Sequence, residues 1–234
     1  MDRKNRPRAD IQGGRGSLQR ETRTETPTRM GIRHDKAEQE TRSEGGQKRG
    51  GELQKKARKA IRKAEKKGWN VVCEDESIMI YDSVVRAVWA KKGSKPTILT
   101  TDSHARTCIF GALSMDGRQL FRQYPNVDGE NPLKFLKEMK RRFGLFLLFL
   151  DKSTPHRKDE DVKMWLKGNR RHIKVMWFPT GGSEFNPVEE CWRQTKDSVV
   201  ACTIYPSFTE MKKTLAKHLR TKKFKLDLTK YLCR

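Results

Sequence analysis

A chain of 234 residues with 52 Lys and Arg against 29 Asp and Glu, a formal net charge of +23, carries more positive charge than solubility requires. Such an excess points to a polyanionic partner, nucleic acid before any other. Only 34% of the residues are apolar, so the length suits one ordinary domain plus a tail, with the core concentrated in part of the chain. No run approaches the roughly 18 apolar residues that cross a bilayer, and the amino terminus lacks the basic-then-apolar layout of a secretory signal.

Residues 1–50 are rich in Arg, Glu, Gly, Thr and Gln, and no aromatic residue or valine precedes Trp69. Such a segment buries too little apolar surface to offset its ordering entropy and is expected to be a disordered basic tail. Residues 51–68 read as a basic helix or linker ending at Gly68, with Leu53, Ala57, Ala60, Ile61 and Ala64 as its apolar positions. That helix either faces solvent or nucleic acid, or packs on the periphery of the domain.

The folded domain, 69–234, opens with the strand pattern WNVVCEDESIMI, turns at Tyr81-Asp82-Ser83, and offers VVRAVWAKK as a hairpin partner. HARTCIFGALS and RQLFRQY flank Met115-Asp116-Gly117, and Asp-Gly between strand-like runs predicts a second hairpin. Asn131-Pro132 is expected to cap a helix with Leu133, Leu136, Met139 and Phe143 at helical spacing. Leu145–Leu150, apolar throughout, reads as a strand buried on both faces and runs straight into Asp151. A helix with Val162, Trp165 and Leu166 follows, then a strand over 172–178 and a helix from Pro187 to about Val200. Ser207 and Glu210 form a capping box for a last helix striped by Phe208, Met211, Leu215 and Leu219. The order predicts an α/β fold, a central mixed sheet of three antiparallel strands followed by two further strands, flanked by helices.

Three acids stand out, each with a plain structural alternative. Asp75 alternates onto the same strand face as Val71 and Cys73, where a half-buried carboxylate must be paired with a basic group or bound to a metal. Asp151 closes the buried strand, the end where sheet proteins commonly place their chemistry, or else it is a turn or N-cap acid. Glu189 lies in a layout resembling a capping box, in which it would only bond back to the Asn186 amide. Helical phasing of Val188, Cys191, Trp192, Thr195 and Val199 sets Glu189 at the edge of the buried stripe and turns Glu190 toward solvent. An oxygen-only set of this kind suits Mg²⁺ or Mn²⁺. Two such ions about 4 Å apart can activate the attacking oxygen and stabilise the leaving one in phosphodiester cleavage. The five cysteines, with no Cys-x-x-Cys pair, are expected as reduced thiols in a cytoplasmic protein and not as a zinc site.

Asp75-Glu76-Ser77, Trp89-Ala90-Lys91-Lys92-Gly93-Ser94-Lys95-Pro96, Phe110-Gly111-Ala112-Leu113, Asp151 with His156, and Asn186-Pro187-Val188-Glu189 with Trp192 and Lys196 occur in order. Over roughly 52–234 the chain resembles the catalytic domain of DDE transposases from prokaryotic insertion sequences in the mariner-like superfamily. The resemblance implies an RNase H-like fold, with Asp75, Asp151 and Glu189 as the metal-binding catalytic acids holding two Mg²⁺ or Mn²⁺ ions. It also implies cleavage of double-stranded DNA at transposon ends, strand transfer into a target, and a homodimer in the active complex. Lys152 stands where the family often has Asn, Gly182-Ser183 where Ser-Pro is common, and 1–50 has no periodicity able to build a helix-turn-helix unit. A truncated or frame-altered product is therefore expected. His156 is read as an outer contact or a structural hydrogen bond, and Trp89 and Trp192 as core residues. The competing readings are a catalytically silent DNA-binding remnant and a basic RNA-binding protein, for which no recognition motif is visible.

Overall fold

The computed structural model describes residues 44–82, 92–93, 97, 100–152, 159–201 and 203–233, with the side chains of 44–50 excepted. Most of the expected tail, the proposed hairpin partner after Asp82, Trp89 and His156 lie outside the described residues. Helix α1 (Glu44–Glu65) leads into β1 (Asn70–Ile80), β2 (Arg106–Ser114) and β3 (Gln119–Tyr124). Then come α2 (Asn131–Phe143), β4 (Phe146–Leu150), α3 (Glu160–Gly168) and β5 (Ile173–Trp177). A single 3₁₀ turn (Ser183–Phe185) precedes α4 (Val188–Thr195), which continues as a π-helical turn over Lys196–Val200. Helices α5 (Phe208–Thr221) and α6 (Thr229–Leu232) complete the described chain.

The five strands form one mixed sheet in the order β3-β2-β1-β4-β5. β1 pairs antiparallel with β2, and β2 with β3, whereas β4 lies parallel to both β1 and β5. The expected Asp-Gly hairpin joins β2 to β3. Gly117 takes φ 84° in the turn, its N–H donates to Ser114 O, and Asp116 Oδ1 accepts from Arg118 N at 3.0 Å. Among the described residues, the antiparallel partner of β1 is β2.

Strand alternation separates two apolar layers. Phe146, Leu148 and Leu150 of β4 join Val72, Phe110 and the helix side chains Phe135, Leu136, Met139 and Val162. Leu147 and Phe149 point the other way, with Val71, Cys73, Ile109 and the helix residues Cys191, Trp192, Met211 and Leu215. β4 is therefore buried on both faces, as its unbroken apolar run requires, and all five of its residues are buried. In α1, Leu53, Ala57, Ile61 and Ala64 enter the second layer, which settles its open alternatives for that stripe in favour of packing. Its Lys55, Arg58, Lys59, Arg62 and Lys63 remain exposed.

Of two expected helix caps, one differs from expectation and one holds. Asn131 is the first residue of α2 and not its cap; its amide donates to Asn126 O and Oδ1, tying down the preceding loop. Ser207 does cap α5, accepting from Glu210 N at 3.2 Å. Cys73, Cys108, Cys191 and Cys233 are free thiols, the first three buried. No helix among the described residues is long and apolar enough to cross a membrane.

Candidate functional site

β1 carries Asp75 into the layer beneath α4 because alternation from Val71 and Cys73 leaves it no other side. The parallel register pairs Cys73 with Phe149. Continued by two residues, that register sets 75 beside 151 on neighbouring strands, which in sheets run roughly 4.8 Å apart. Asp151 also falls in phase with Leu147 and Phe149, so both acids belong to the α4 side of the sheet. After β5, Phe178 N donates to Leu150 O at 2.8 Å, and the loop 179–186 then folds back across the strand ends. Asp75, Asp151 and Glu189 line one cavity of about 270 Å³ together with Lys152, Ser183 and Asn186.

The start of α4 decides between the two readings of Glu189. In a capping box the Asn186 amide would be held by the Glu189 carboxylate, but Asn186 N donates to Ser183 O at 2.8 Å. The Asn186 side chain closes the turn itself, its Oδ1 accepting from Val188 N at 3.2 Å. Its Nδ2 donates to Glu74 O at 2.9 Å, so a buried amide stitches the mouth of α4 to the strand beside Asp75. Glu189 is thereby left at the exposed rim of the cavity. Glu190, expected to face solvent, is half-buried instead, because Arg193 and Gln194 fold over its carboxylate, with Arg193 Nη2 at 2.6 Å.

Electrostatics mark the three acids as neighbours. Asp75 is 8% exposed, and its carboxyl is raised from the usual 3.8 to about 9. Burial is the main cause, followed by the negative charges of Glu189 and Glu74; a hydrogen bond from Trp192 pulls the other way. Glu189 is also raised, first by partial desolvation, with Lys196 opposing and Asp151 adding to the shift. Among the described residues, no group of three acidic, histidine or cysteine side chains stands close enough to hold one ion. The arrangement is a shared cavity with mutually repelling carboxylates. The three carboxylates of the lining are hard oxygen donors whose charge a divalent cation would neutralise, which fits Mg²⁺ or Mn²⁺ in donor chemistry, with the Lys152 cation on the same wall.

Two contributors escaped the sequence reading. Trp192 was expected as core and is 2% exposed, yet its Nε1–H donates to Asp75 Oδ2 at 2.8 Å. Asn186 was read as a helix opener, whereas its amide braces β1. The usable signals were a buried indole, whose N–H must find an acceptor, and Gly111 in mid-strand, a mark of close approach by another group.

Comparison with known proteins agrees with this architecture. The chain superposes on the Mos1 transposase paired-end complex with left transposon end at TM-score 0.60 and 12% identity, covering 87% of this chain and 63% of that one. The mariner Mos1 paired-end complex with Mg gives 0.57 at 13% identity, covering 88% and 63%. The catalytic domain of Mos1 mariner transposase gives 0.51 at 11%, covering 75% and 82%. The chain thus spans less than two thirds of the first two proteins, and at these identities the likeness establishes the fold, RNase H-like with a five-stranded mixed sheet. No curated protein sequence matches the chain significantly. Residues 70–212, which run from β1 into α5 and contain all three acids, match the family described as DDE superfamily endonuclease, and the chain belongs to that family.

Proposed function

We propose that this chain is the catalytic part of a transposase of a prokaryotic insertion sequence, cutting double-stranded DNA at transposon ends and joining the freed strand to a target. The observation that carries the reading is the single cavity lined by Asp75, Asp151 and Glu189 within an RNase H-like fold of the DDE superfamily. In this proposal the three carboxylates hold Mg²⁺ or Mn²⁺, two ions in the working complex. The metal supplies charge stabilisation at the phosphate and a more nucleophilic oxygen. The chain's own residues supply the placement: β1 and β4 deliver two acids from adjacent strands, and α4 delivers the third from above. Lys152, on the wall of the cavity, is suited to pair with a DNA phosphate beside the reacting one. The net charge of +23 favours duplex DNA as partner, with affinity falling steeply as salt rises. A homodimer fits a reaction that must bring two ends together.

A second reading, a catalytically silent DNA-binding remnant, draws on two observations. The acids do not form a ready-made ion site among the described residues, and a lysine shares their cavity. Labelled duplex DNA incubated with Mg²⁺ or Mn²⁺ separates the two. The transposase reading expects cleavage by the wild type and a loss of about a hundred- to a thousandfold in each of Asp75→Asn, Asp151→Asn and Glu189→Gln, the size found when one charge-stabilising group is removed from a reacting centre. Equal and metal-independent behaviour of all four proteins would leave the remnant.

A further inference from the structure

Trp192 has the burial of a core residue and the hydrogen bond of a functional one. We propose that Trp192 is the positioning residue of Asp75: its indole N–H holds one carboxylate oxygen so that the other is presented to the cavity. The proposal rests on the reading above, in which Asp75 is a metal ligand. Three observations carry it.

The ring has no freedom to serve another acceptor. It packs edge-on against Phe121, with centroids 5.8 Å apart and planes at 75°, and it is 2% exposed. Its Nε1 lies 2.8 Å from Asp75 Oδ2. A phenylalanine or leucine would fill an apolar slot without bringing in a donor, whereas a buried N–H is costly unless paired.

The slot is kept open by a residue that has no side chain. Gly111 is the register partner of Asp75 across β1 and β2. A Cβ there would come within 2.5 Å of Trp192 Cη2 and 2.7 Å of Phe121 Cε1. Glycine weakens a strand interior, and here its bareness admits the ring that reaches Asp75.

Trp192 also lies three residues beyond Glu189, on the same short helix. The element that carries one acid therefore orients another, and the Asn186 amide fixes the Glu74 carbonyl next to it. Carboxylate ligands are in general held this way by outer hydrogen bonds, and losing such a bond costs roughly 10- to 100-fold in metal affinity.

The test measures Mn²⁺ uptake by the DNA-free full chain, following free Mn²⁺ by electron paramagnetic resonance, with circular dichroism and a thermal melt as checks on folding. Trp192→Phe, which keeps the packing and deletes the donor, is expected to fold and to bind Mn²⁺ about 10- to 100-fold more weakly. Gly111→Ala, which displaces the ring, should weaken binding in the same direction, and Asp75→Asn should abolish it. Wild-type affinity in Trp192→Phe, with binding lost in Asp75→Asn, overturns the positioning role alone. A wild-type chain that takes up no Mn²⁺, or an Asp75→Asn chain that takes up as much as wild type, overturns the metal-site reading and this inference with it. Should Trp192→Phe not fold, ¹⁵N-labelled indoles of the wild type decide: the line displaced by Asp75→Asn must also move when Mg²⁺ is added to the wild type, and a stationary line overturns the proposal.

Discussion

The two faces of the sheet are built from the same strands and do different work. On the side of α2 and α3, Phe110, Phe135, Leu136, Phe146, Leu148 and Leu150 make a closed apolar layer, each of them at most 1% exposed. On the side of α1, α4 and α5 the layer is equally apolar over most of its extent, but at the middle of β1, beside the carboxyl end of β4, it gives way to Asp75, Asn186 and the indole N–H of Trp192. The first face is held by surface burial, which is non-directional and tolerant of small shifts. The second is held at its polar end by hydrogen bonds with defined donors and acceptors, where geometry matters more than area. Substitutions on the first face should therefore move stability and leave chemistry alone, and those at the polar end of the second should move chemistry together with stability.

The largest effect tests the apolar face. Leu148→Ala removes a fully buried side chain from the middle of β4 and should cost about 2–5 kcal/mol in a denaturant titration. The protein that remains folded should show unchanged Mn²⁺ affinity. A matching loss of metal binding would mean that the two faces are not separable. Asn186→Ala comes next, because it leaves the buried Glu74 carbonyl and the Val188 N–H without the amide that serves them. The expected cost is about 2–3 kcal/mol, the usual size for a pair of buried hydrogen bonds. It should be accompanied by a loss of cleavage out of proportion to the unfolding, measured well below the melting temperature.

Asp75→Asn should act in the opposite direction on stability. In the metal-free protein the carboxyl titrates near 9 instead of 3.8, so between those values the folded chain keeps a proton that the unfolded chain has released. Its contribution to stability is therefore fullest below 3.8 and is lost as the pH rises toward 9. The amide cannot ionise and still offers Trp192 an acceptor, so at pH 8, where the folded wild type must hold a proton that its unfolded chain has released, the variant should be the more stable by a few kcal/mol, at about 1.4 kcal/mol per pH unit of that gap. At pH 4 the two should melt together. Mg²⁺ should raise the melting temperature of the wild type at pH 8 and not that of the variant.

Much of this architecture was legible because it depends on period and punctuation. The apolar run before Asp151, the Asp-Gly turn at 116–117 and the stripe from Val188 to Val199 each specify a local shape with one plausible packing. Phasing also assigned Asp75 to the face of Val71 and Cys73, since a strand position fixes its face, but only the register of β1 on β4 sets Asp151 on the same side. What did not follow from the sequence depends on contacts between distant segments. Asn186 opens its helix at short range, as its Oδ1 does for Val188 N, but the same side chain also donates to Glu74 O, 112 residues away. Trp192 meets Asp75 across 117 residues, and no local pattern records that partnership. Asn131 and Glu190 went astray for a related reason: each has a nearby polar partner, Asn126 and Arg193, that wins over the simple cap or solvent position.

The smallest predicted effect separates two adjacent acids of α4. Glu189 opens onto the cavity with Asp75 and Asp151, whereas Glu190 is committed to Arg193 at 2.6 Å, in a pair whose arginine is 60% exposed. An ion pair so open to water is worth about 0.2–1 kcal/mol and less in high salt. Glu190→Gln should therefore cost no more than that near neutral pH. Arg193 holds the Glu190 carboxyl below its usual value, so the contribution is present above 4.5 and fades as the pH falls through the lowered value. The cost of Glu190→Gln should thus shrink in acid and in 1 M salt, and cleavage and Mn²⁺ binding should stay at wild-type levels while Glu189→Gln loses both. If Glu190→Gln instead removed cleavage with its fold intact, the third acid would have to be reassigned by one residue. The helix would then have to turn by about 100° to bring it to the cavity. Such a turn is at odds with Val188, Cys191, Trp192 and Thr195 all facing the core, so the measurement tests the packing of α4 as directly as its chemistry.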